Sequence, residues 1–227
     1  SLAVSLQLHN LRFSYGSGFE LHVPELVIQP GESIALVGPS GSGKTTLLNL
    51  VAGILRPDQG TILLGDQCLT DLSLRSWRQL RLGSIGMIFQ SFELLEYLDL
   101  RDNVLLQARL APGIAVTDKL VQRALAITSE LGLGDKWRRP ITALSQGERQ
   151  RVAACRALLL DPPLVLADEP TGNLDPDNKQ AVLDHLIDLC SRDQRMLLTV
   201  THDHSLLPAF DRVVDMAELA AQSGTVA

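Results

Sequence analysis

The stretch Ser33-Ile34-Ala35-Leu36-Val37-Gly38-Pro39-Ser40-Gly41-Ser42-Gly43-Lys44-Thr45-Thr46-Leu47-Leu48 decides how the rest of the chain is read. Its opening residues, Ser33 to Val37, form an apolar run of strand length, and helical spacing starts at Lys44, so a glycine-rich turn joins a strand to a helix. Gly38 to Thr45 fits G-x-x-x-x-G-K-[ST], and a strand–turn–helix setting turns that pattern into a phosphate site. Glycines let successive backbone N–H groups converge on an anion, and the helix N-terminus adds a partial positive charge. Lys44 then reaches the β- and γ-phosphates, and the Thr45 hydroxyl can ligate Mg²⁺. The helix is expected to run from Lys44 to Leu55, stopped by Pro57.

Upstream, residues 2 to 37 alternate in short β-like runs (Val4-Leu6-Leu8, Leu11-Phe13-Tyr15, Leu21-Val23, Leu26-Ile28) broken by Gly16-Ser17-Gly18, the pattern of a small antiparallel sheet. Downstream, Ile85 to Phe89, Leu164 to Ala167 and Met196 to Val200 are apolar on both faces, as buried parallel strands must be. Between about 100 and 160 the spacing is helical, including Leu120-Val121-Ala124-Leu125-Ile127 and Val152-Cys155-Leu158-Leu159. The expected architecture is α/β, a P-loop nucleotide-hydrolase core with a mixed central sheet. It carries an N-terminal antiparallel β-subdomain and an inserted α-helical subdomain at about 91–160, within one domain spanning 1–227.

A phosphoryl-transfer site also needs a carboxylate for the metal shell and a base for water, both at the end of a neighbouring parallel strand. Leu164-Val165-Leu166-Ala167-Asp168-Glu169 supplies them, with Asp168 directed to the metal and Glu169 to the γ-phosphate. Pro170-Thr171-Gly172 delays the next helix until about Pro176, so the acidic pair is not simply its cap.

Composition bounds the partners. The 227 residues are 45% hydrophobic and 20% charged, which fits a globular chain with a proper core rather than disorder. Lys+Arg is 20 against Asp+Glu 26, and the net charge of -6 argues against a nucleic-acid or anionic-membrane binder. Cys68, Cys155 and Cys190 are far apart and without metal spacing, so a reduced cytosolic chain is expected, with the thiols as small core residues. No stretch is long and apolar enough for a transmembrane helix, and Ser1-Leu2-Ala3-Val4 carries no secretory-signal pattern.

Further motifs narrow the class. Leu144-Ser145-Gln146-Gly147-Glu148-Arg149-Gln150-Arg151, ahead of a helix and about 20 residues before Asp168, resembles the LSGGQ signature of ATP-binding-cassette (ABC) ATPases. The other elements of that family follow in order: Tyr15 before the phosphate loop, Gln90 ending a strand, Asn173-Leu174-Asp175 after the carboxylates, and His202 in Thr201-His202-Asp203. The resemblance covers essentially the whole chain. It implies ATP with Mg²⁺, Tyr15 stacked on adenine, Gly41 to Thr46 around the phosphates, and Gln90 touching metal and water. It further implies Glu169 as general base, His202 on the γ-phosphate, and Asp175 beside the nucleotide. Ser145 and Gly147 would act in trans, in a homodimer with nucleotide at its interface. Asp168-Glu169-Pro170-Thr171-Gly172-Asn173-Leu174-Asp175 looks like the variant of the lipoprotein-releasing, macrolide-exporting and cell-division ATPases. The implied partner is an integral membrane permease that holds this subunit on the cytoplasmic face of the membrane.

The signature departs from LSGGQ at Gln146 and Glu148, and the second change sets a negative charge near bound phosphate; Arg149, Arg151 and Arg156 on the helix beyond read either as an offset to it or as a solvated basic face. Phe92, Leu94, Leu95 and Tyr97 read as apolar residues exposed on a loop for a permease helix. A GTPase reading fails because Asn178-Lys179-Gln180-Ala181 lacks the guanine-reading Asp. A chromosome-type ABC ATPase would need a long coiled coil where only about 55 residues separate Gln90 from Ser145, and a translation-factor type would carry two cassettes. The surviving alternative is a nucleotide-gated clamp that regulates a membrane complex without transport.

Overall fold

Leu6, Leu8, Leu11 and Phe13 are all buried, yet the step from Leu8 to Leu11 is three residues where a flat strand requires two. In the computed structural model, which describes residues 4–16 and 18–221, that step is a bulge inside one continuous strand, β1 (Leu6–Ser14). Asn10 sits at φ 48°, and the pairing of β1 with β4 (Gln59–Leu64) slips between His9 and Arg12. A Cβ on Gly60 would stand 2.4 Å from the Asn10 carbonyl oxygen, so only glycine fits against the bulge. β2 (Glu20–Ile28) is likewise one strand where the sequence suggests two, and its Pro24 is tolerated because β2 is an edge strand. With β5 (Gln67–Cys68) these make an antiparallel sheet ordered β2-β1-β4-β5. The expectations placed on Ser1 to Ala3 and on Ser17 lie outside the described residues.

The second sheet is ordered β6-β7-β8-β3-β9, from β3 (Ser33–Val37), β6 (Ile85–Phe89), β7 (Leu164–Asp168), β8 (Met196–Val200) and β9 (Arg212–Asp215). Every neighbouring pair in it is parallel, so the two kinds of pairing expected from the sequence are divided between two sheets. Alternation along the parallel strands explains why both faces are apolar. Ile34, Leu36, Leu164, Leu166, Leu198 and Val200 face the cluster shared with the antiparallel sheet, while Ala35, Val165, Ala167 and Leu197 face the helical layer.

That layer comes from α3 (Leu100–Leu110), α4 (Asp118–Glu130) and α5 (Gln146–Leu158), all between β6 and β7 in the chain, where helical spacing was read. α1 (Lys44–Val51) ends at Val51 rather than Leu55. Gly53 breaks it at φ 66°, because the fully buried ring of Trp77 occupies the place of a Cβ, 2.5 Å away. Trp77 belongs to α2 (Leu74–Ser84); α6 (Pro176–Arg192) follows β7, and α7 (Met216–Ala221) follows β9. Cys155 and Cys190 are buried, their thiols pushed up to about 12 by burial, whereas Cys68 is only partly buried rather than a core residue. Among the described residues no helix is long and apolar enough to cross a membrane.

Candidate functional site

β3 delivers Gly38 at its C-terminal end, and the chain turns through Pro39, Ser40, Gly41, Ser42 and Gly43 into the N-terminus of α1. Gly43 caps the helix at φ 96°, and a Cβ there would press on the Phe19 ring at 2.9 Å and on Leu21 at 3.1 Å. Gly41, at φ 79°, has open space beside it. Lys44 Nζ donates back to the carbonyls of Gly38 at 2.6 Å and Pro39 at 3.0 Å, so its charge already lies within the loop. Ser42 Oγ is buried with no hydrogen-bond partner among the described residues, which suits an anion acceptor in the loop. The Thr46 hydroxyl lies 3.3 Å from the Tyr15 hydroxyl, joining the loop to an aromatic group in which Phe13 meets Tyr15 edge-on at 4.8 Å and Phe19 lies 5.6 Å from it. Tyr15 is 54% exposed and thus available to a ligand ring. Phe19 was not singled out from sequence, although it follows the glycine turn of an otherwise aromatic-poor chain.

Parallel register brings the remaining groups to the same edge. Asp168 is level with Phe89 on one side and Val200 on the other, so Gln90, Glu169 and Thr201 all follow strand ends beside the loop. Thr45 Oγ1 donates to Asp168 Oδ2 at 3.1 Å. Burial pushes the Asp168 carboxyl above the usual carboxylate range, opposed by the Thr45 hydroxyl and the Lys44 charge. Glu169 has left-handed backbone, φ 48°, pinned by its N–H to the Val200 carbonyl at 2.9 Å. A non-glycine residue held there stores strain of about 1–3 kcal/mol, and such residues cluster at functional sites. Glu169 Oε1 meets His202 Nδ1 at 2.7 Å, with the ring 72% exposed and the carboxylate mostly covered. Asn173 Nδ2 donates to the Gln90 carbonyl at 2.8 Å, and Gly172 leaves room for the Gln90 amide, since a Cβ would come within 2.9 Å of its Nε2. Lys44, Thr45, Gln90, Asp168, Glu169 and Asn173 line a cleft of about 570 Å³.

A hydroxyl and a carboxylate are hard oxygen donors, so Thr45 and Asp168 fit Mg²⁺, which favours one or two protein oxygens completed by water and substrate phosphate. A phosphate loop, an oxygen pair for a cation and a carboxylate oriented by histidine, around one cleft, can support hydrolysis of a phosphoanhydride.

Ser145, Gly147 and Asp175 lie outside that lining. Asp175 caps α6, accepting from the Asn178 N–H at 3.2 Å. Ser145 caps α5 in a capping box: its hydroxyl accepts from the Glu148 N–H at 3.2 Å, and Glu148 Oε2 accepts from the Ser145 N–H at 2.8 Å. Glu148 Oε1 is paired with Lys136, which holds its carboxyl below the usual range. The expected offset by Arg149, Arg151 and Arg156 is therefore corrected: Lys136, unremarked in the sequence, neutralises Glu148. Arg149 turns instead to the Leu144 carbonyl at 3.2 Å, and Arg156 is buried with its guanidinium on the carbonyls of Phe92 and Glu93. Among the described residues Gly147 has only Leu174 near, at 3.9 Å, so none of them requires glycine there.

The permease loop needs a second correction. Phe92 is buried in the helical cluster and Leu94 packs against it, while both backbone polar groups of Leu95 are taken by Asn103; Tyr97 alone of the four is strongly exposed, at 82%. The apolar depression lies next to this loop, a groove of about 360 Å³ lined by Arg81, Leu82, Met87, Leu106, Leu110 and Arg156.

A family model described as ABC transporter matches residues 21–172. An uncharacterised ABC transporter ATP-binding protein of Mycobacterium tuberculosis is 40% identical over 215 residues, which cover 93% of this chain and 86% of that protein. The lipoprotein-releasing system ATP-binding protein LolD of Pseudomonas fluorescens is 38% identical over 217 residues, covering 94% of this chain and 95% of that one. Among solved structures, a dimeric bacterial ABC transporter cassette superposes with a TM-score of 0.80 at 30% identity, over 92% of this chain and 93% of that one. A dimeric cassette in a post-hydrolysis state, bound to ADP and Pi, gives 0.78 at 29% identity with the same coverage, 92% and 93%.

Proposed function

This chain belongs to the ABC transporter family as an ATP-binding, ATP-hydrolysing subunit, and we propose that it drives a separate membrane permease of the lipoprotein-releasing or exporting kind. The observation that carries the catalytic half is the convergence of Lys44, Thr45, Asp168, Glu169 and His202 at the ends of adjacent parallel strands. Gly41 to Thr46 hold the phosphates, chiefly by backbone N–H groups, Lys44 places its charge on the β- and γ-phosphates, and Tyr15 receives the adenine. Thr45 and Asp168, with Gln90 beside them, hold Mg²⁺, which when bound supplies neutralisation of developing phosphate charge. Glu169 accepts the proton of the attacking water, and the His202 Nδ1 contact fixes the orientation of that carboxylate. His202 is also the group that holds the γ-phosphate in register with the attacking water.

Ser145 and Gly147 serve the nucleotide of a second copy in a head-to-tail homodimer, and Asp175 lies beside the nucleotide. The unneeded glycine at 147 and the exposed Ser145 at the α5 N-terminus support this, as does the dimeric description of the related cassettes. The groove beside Leu110 is the surface for a permease helix, so the subunit sits peripherally on the cytoplasmic face of the membrane, and no nucleic acid is involved. Turnover with and without each candidate permease tests this reading. Stimulation by one permease, and its loss when the groove is altered, are expected; turnover indifferent to every permease would point instead to the regulatory clamp.

A further inference from the structure

Two consecutive non-glycine residues behind Gln90 have left-handed backbone, Phe92 at φ 64° and Glu93 at φ 50°. One such residue is uncommon, and a pair persists only where the surroundings impose it. Phe92 is packed in the helical cluster and its N–H donates to the Phe89 carbonyl at 3.0 Å, and both left-handed residues also share one side chain from another element. Arg156, on α5 and only 8% exposed, donates through Nη1 to the Glu93 carbonyl at 2.5 Å and through Nη2 to the Phe92 carbonyl at 2.8 Å. The planar guanidinium suits two adjacent carbonyls in a way a single ammonium does not. Glu93 lines both the nucleotide cleft and the apolar groove, and Arg156 lines the groove. The helix that carries Arg156 is capped at its N-terminus by Ser145.

We propose that Arg156 is a positioning residue for Gln90: by clamping the Phe92 and Glu93 carbonyls it fixes the turn that sets Gln90 in the cleft and ties that turn to the helix presenting Ser145. The proposal rests on the role given to Gln90 above. Movement of the groove or of α5 is then felt at Gln90 through this forked contact, separately from the Asn173 hydrogen bond to the Gln90 carbonyl, because the loop has no glycine with which to yield independently between Gln90 and Tyr97.

The test is a kinetic cycle on the full chain. Arg156→Lys keeps a charge but can serve only one carbonyl well. It is expected to lower kcat about tenfold, the scale of a small misplacement of a reacting group, with KM for ATP changed less than about twofold. Gln90→Ala should itself lower kcat, and adding it to Arg156→Lys should cost less than about threefold more, since both changes remove one function. Multiplying losses, or an Arg156→Lys enzyme at wild-type kcat, would overturn the proposal while leaving the Gln90 role standing. A Gln90→Ala enzyme at wild-type kcat would sink that role and this proposal together. Where Arg156→Lys fails to fold, Glu93→Val and Glu93→Asn at the exposed turn take its place. Both remove the carboxylate, but valine resists the left-handed region that asparagine tolerates. Valine should cost at least about fivefold more kcat than asparagine; equal losses would refute a role for the clamped backbone.

Discussion

Glu148→Gln restores the residue usual in the signature, and the structure nevertheless predicts that it weakens the protein. The glutamine amide oxygen can still accept from the Ser145 N–H, so the capping box survives. What disappears is the charge paired with Lys136, where the two side chains are only 17% and 25% exposed, and a negative charge in the first turn of α5. A partly covered ion pair contributes about 0.5–1 kcal/mol and a helix-end charge about 0.3–1 kcal/mol, together about 1–2 kcal/mol. For a chain of this size that is about 2–8 °C in Tm, measurable by scanning calorimetry at low ionic strength and smaller in about 1 M salt. The sign with pH follows from the lowered Glu148 carboxyl, depressed chiefly by its Lys136 hydrogen bond. Its stabilisation is complete above the unfolded value, about 4.3, and is lost as pH falls through the lower folded value. The difference between glutamate and glutamine should thus be flat through neutrality and vanish in acid. Turnover should stay within about threefold, because the capped backbone at Ser145 is preserved. Equal melting temperatures at low salt, or a tenfold change in turnover without loss of stability, would refute the assignment of Glu148 to Lys136.

Other consequences are as direct. Leu110→Asp, at a groove residue 63% exposed, should leave folding and basal turnover near normal but abolish co-purification with the permease, since burying a charge in an apolar contact costs several kcal/mol; co-purification at wild-type level would move the coupling surface elsewhere. Asp168→Asn should raise the melting temperature of the nucleotide-free protein, because burial makes the ionised carboxylate costly there, while Mg²⁺-dependent turnover is lost; a lower melting temperature would show the charge to be stabilising. Light scattering on Glu169→Gln should give a monomer in buffer and a dimer in saturating ATP, and an unchanged mass would count against Ser145 and Gly147 acting in trans.

The parallel core and its loop were legible because their physics is local: strands apolar on both faces, a glycine turn, and carboxylates at a strand end. Residues 59–84 were passed over for equally physical reasons. β4 opens on Gln59-Gly60-Thr61, and α2 is arginine-rich with Trp77 as its buried anchor, so neither shows a clean apolar period. The fused strands β1 and β2 hide behind a bulge and an edge proline that interrupt alternation. Phe92 misled because burial depends on what packs from afar, here the helical layer. Lys136 for Glu148 and Arg156 for the loop after Gln90 are tertiary pairings, across 12 and 63 or 64 positions, that no spacing announces.

Steady-state phosphate release from Mg²⁺-ATP, wild type against Glu169→Gln, tests the catalytic assignment most directly. The Glu169–His202 contact and the strained backbone at Glu169 predict a loss of about 10²-fold or more in turnover with ATP binding retained. Phosphate release near the wild-type rate from Glu169→Gln would contradict it.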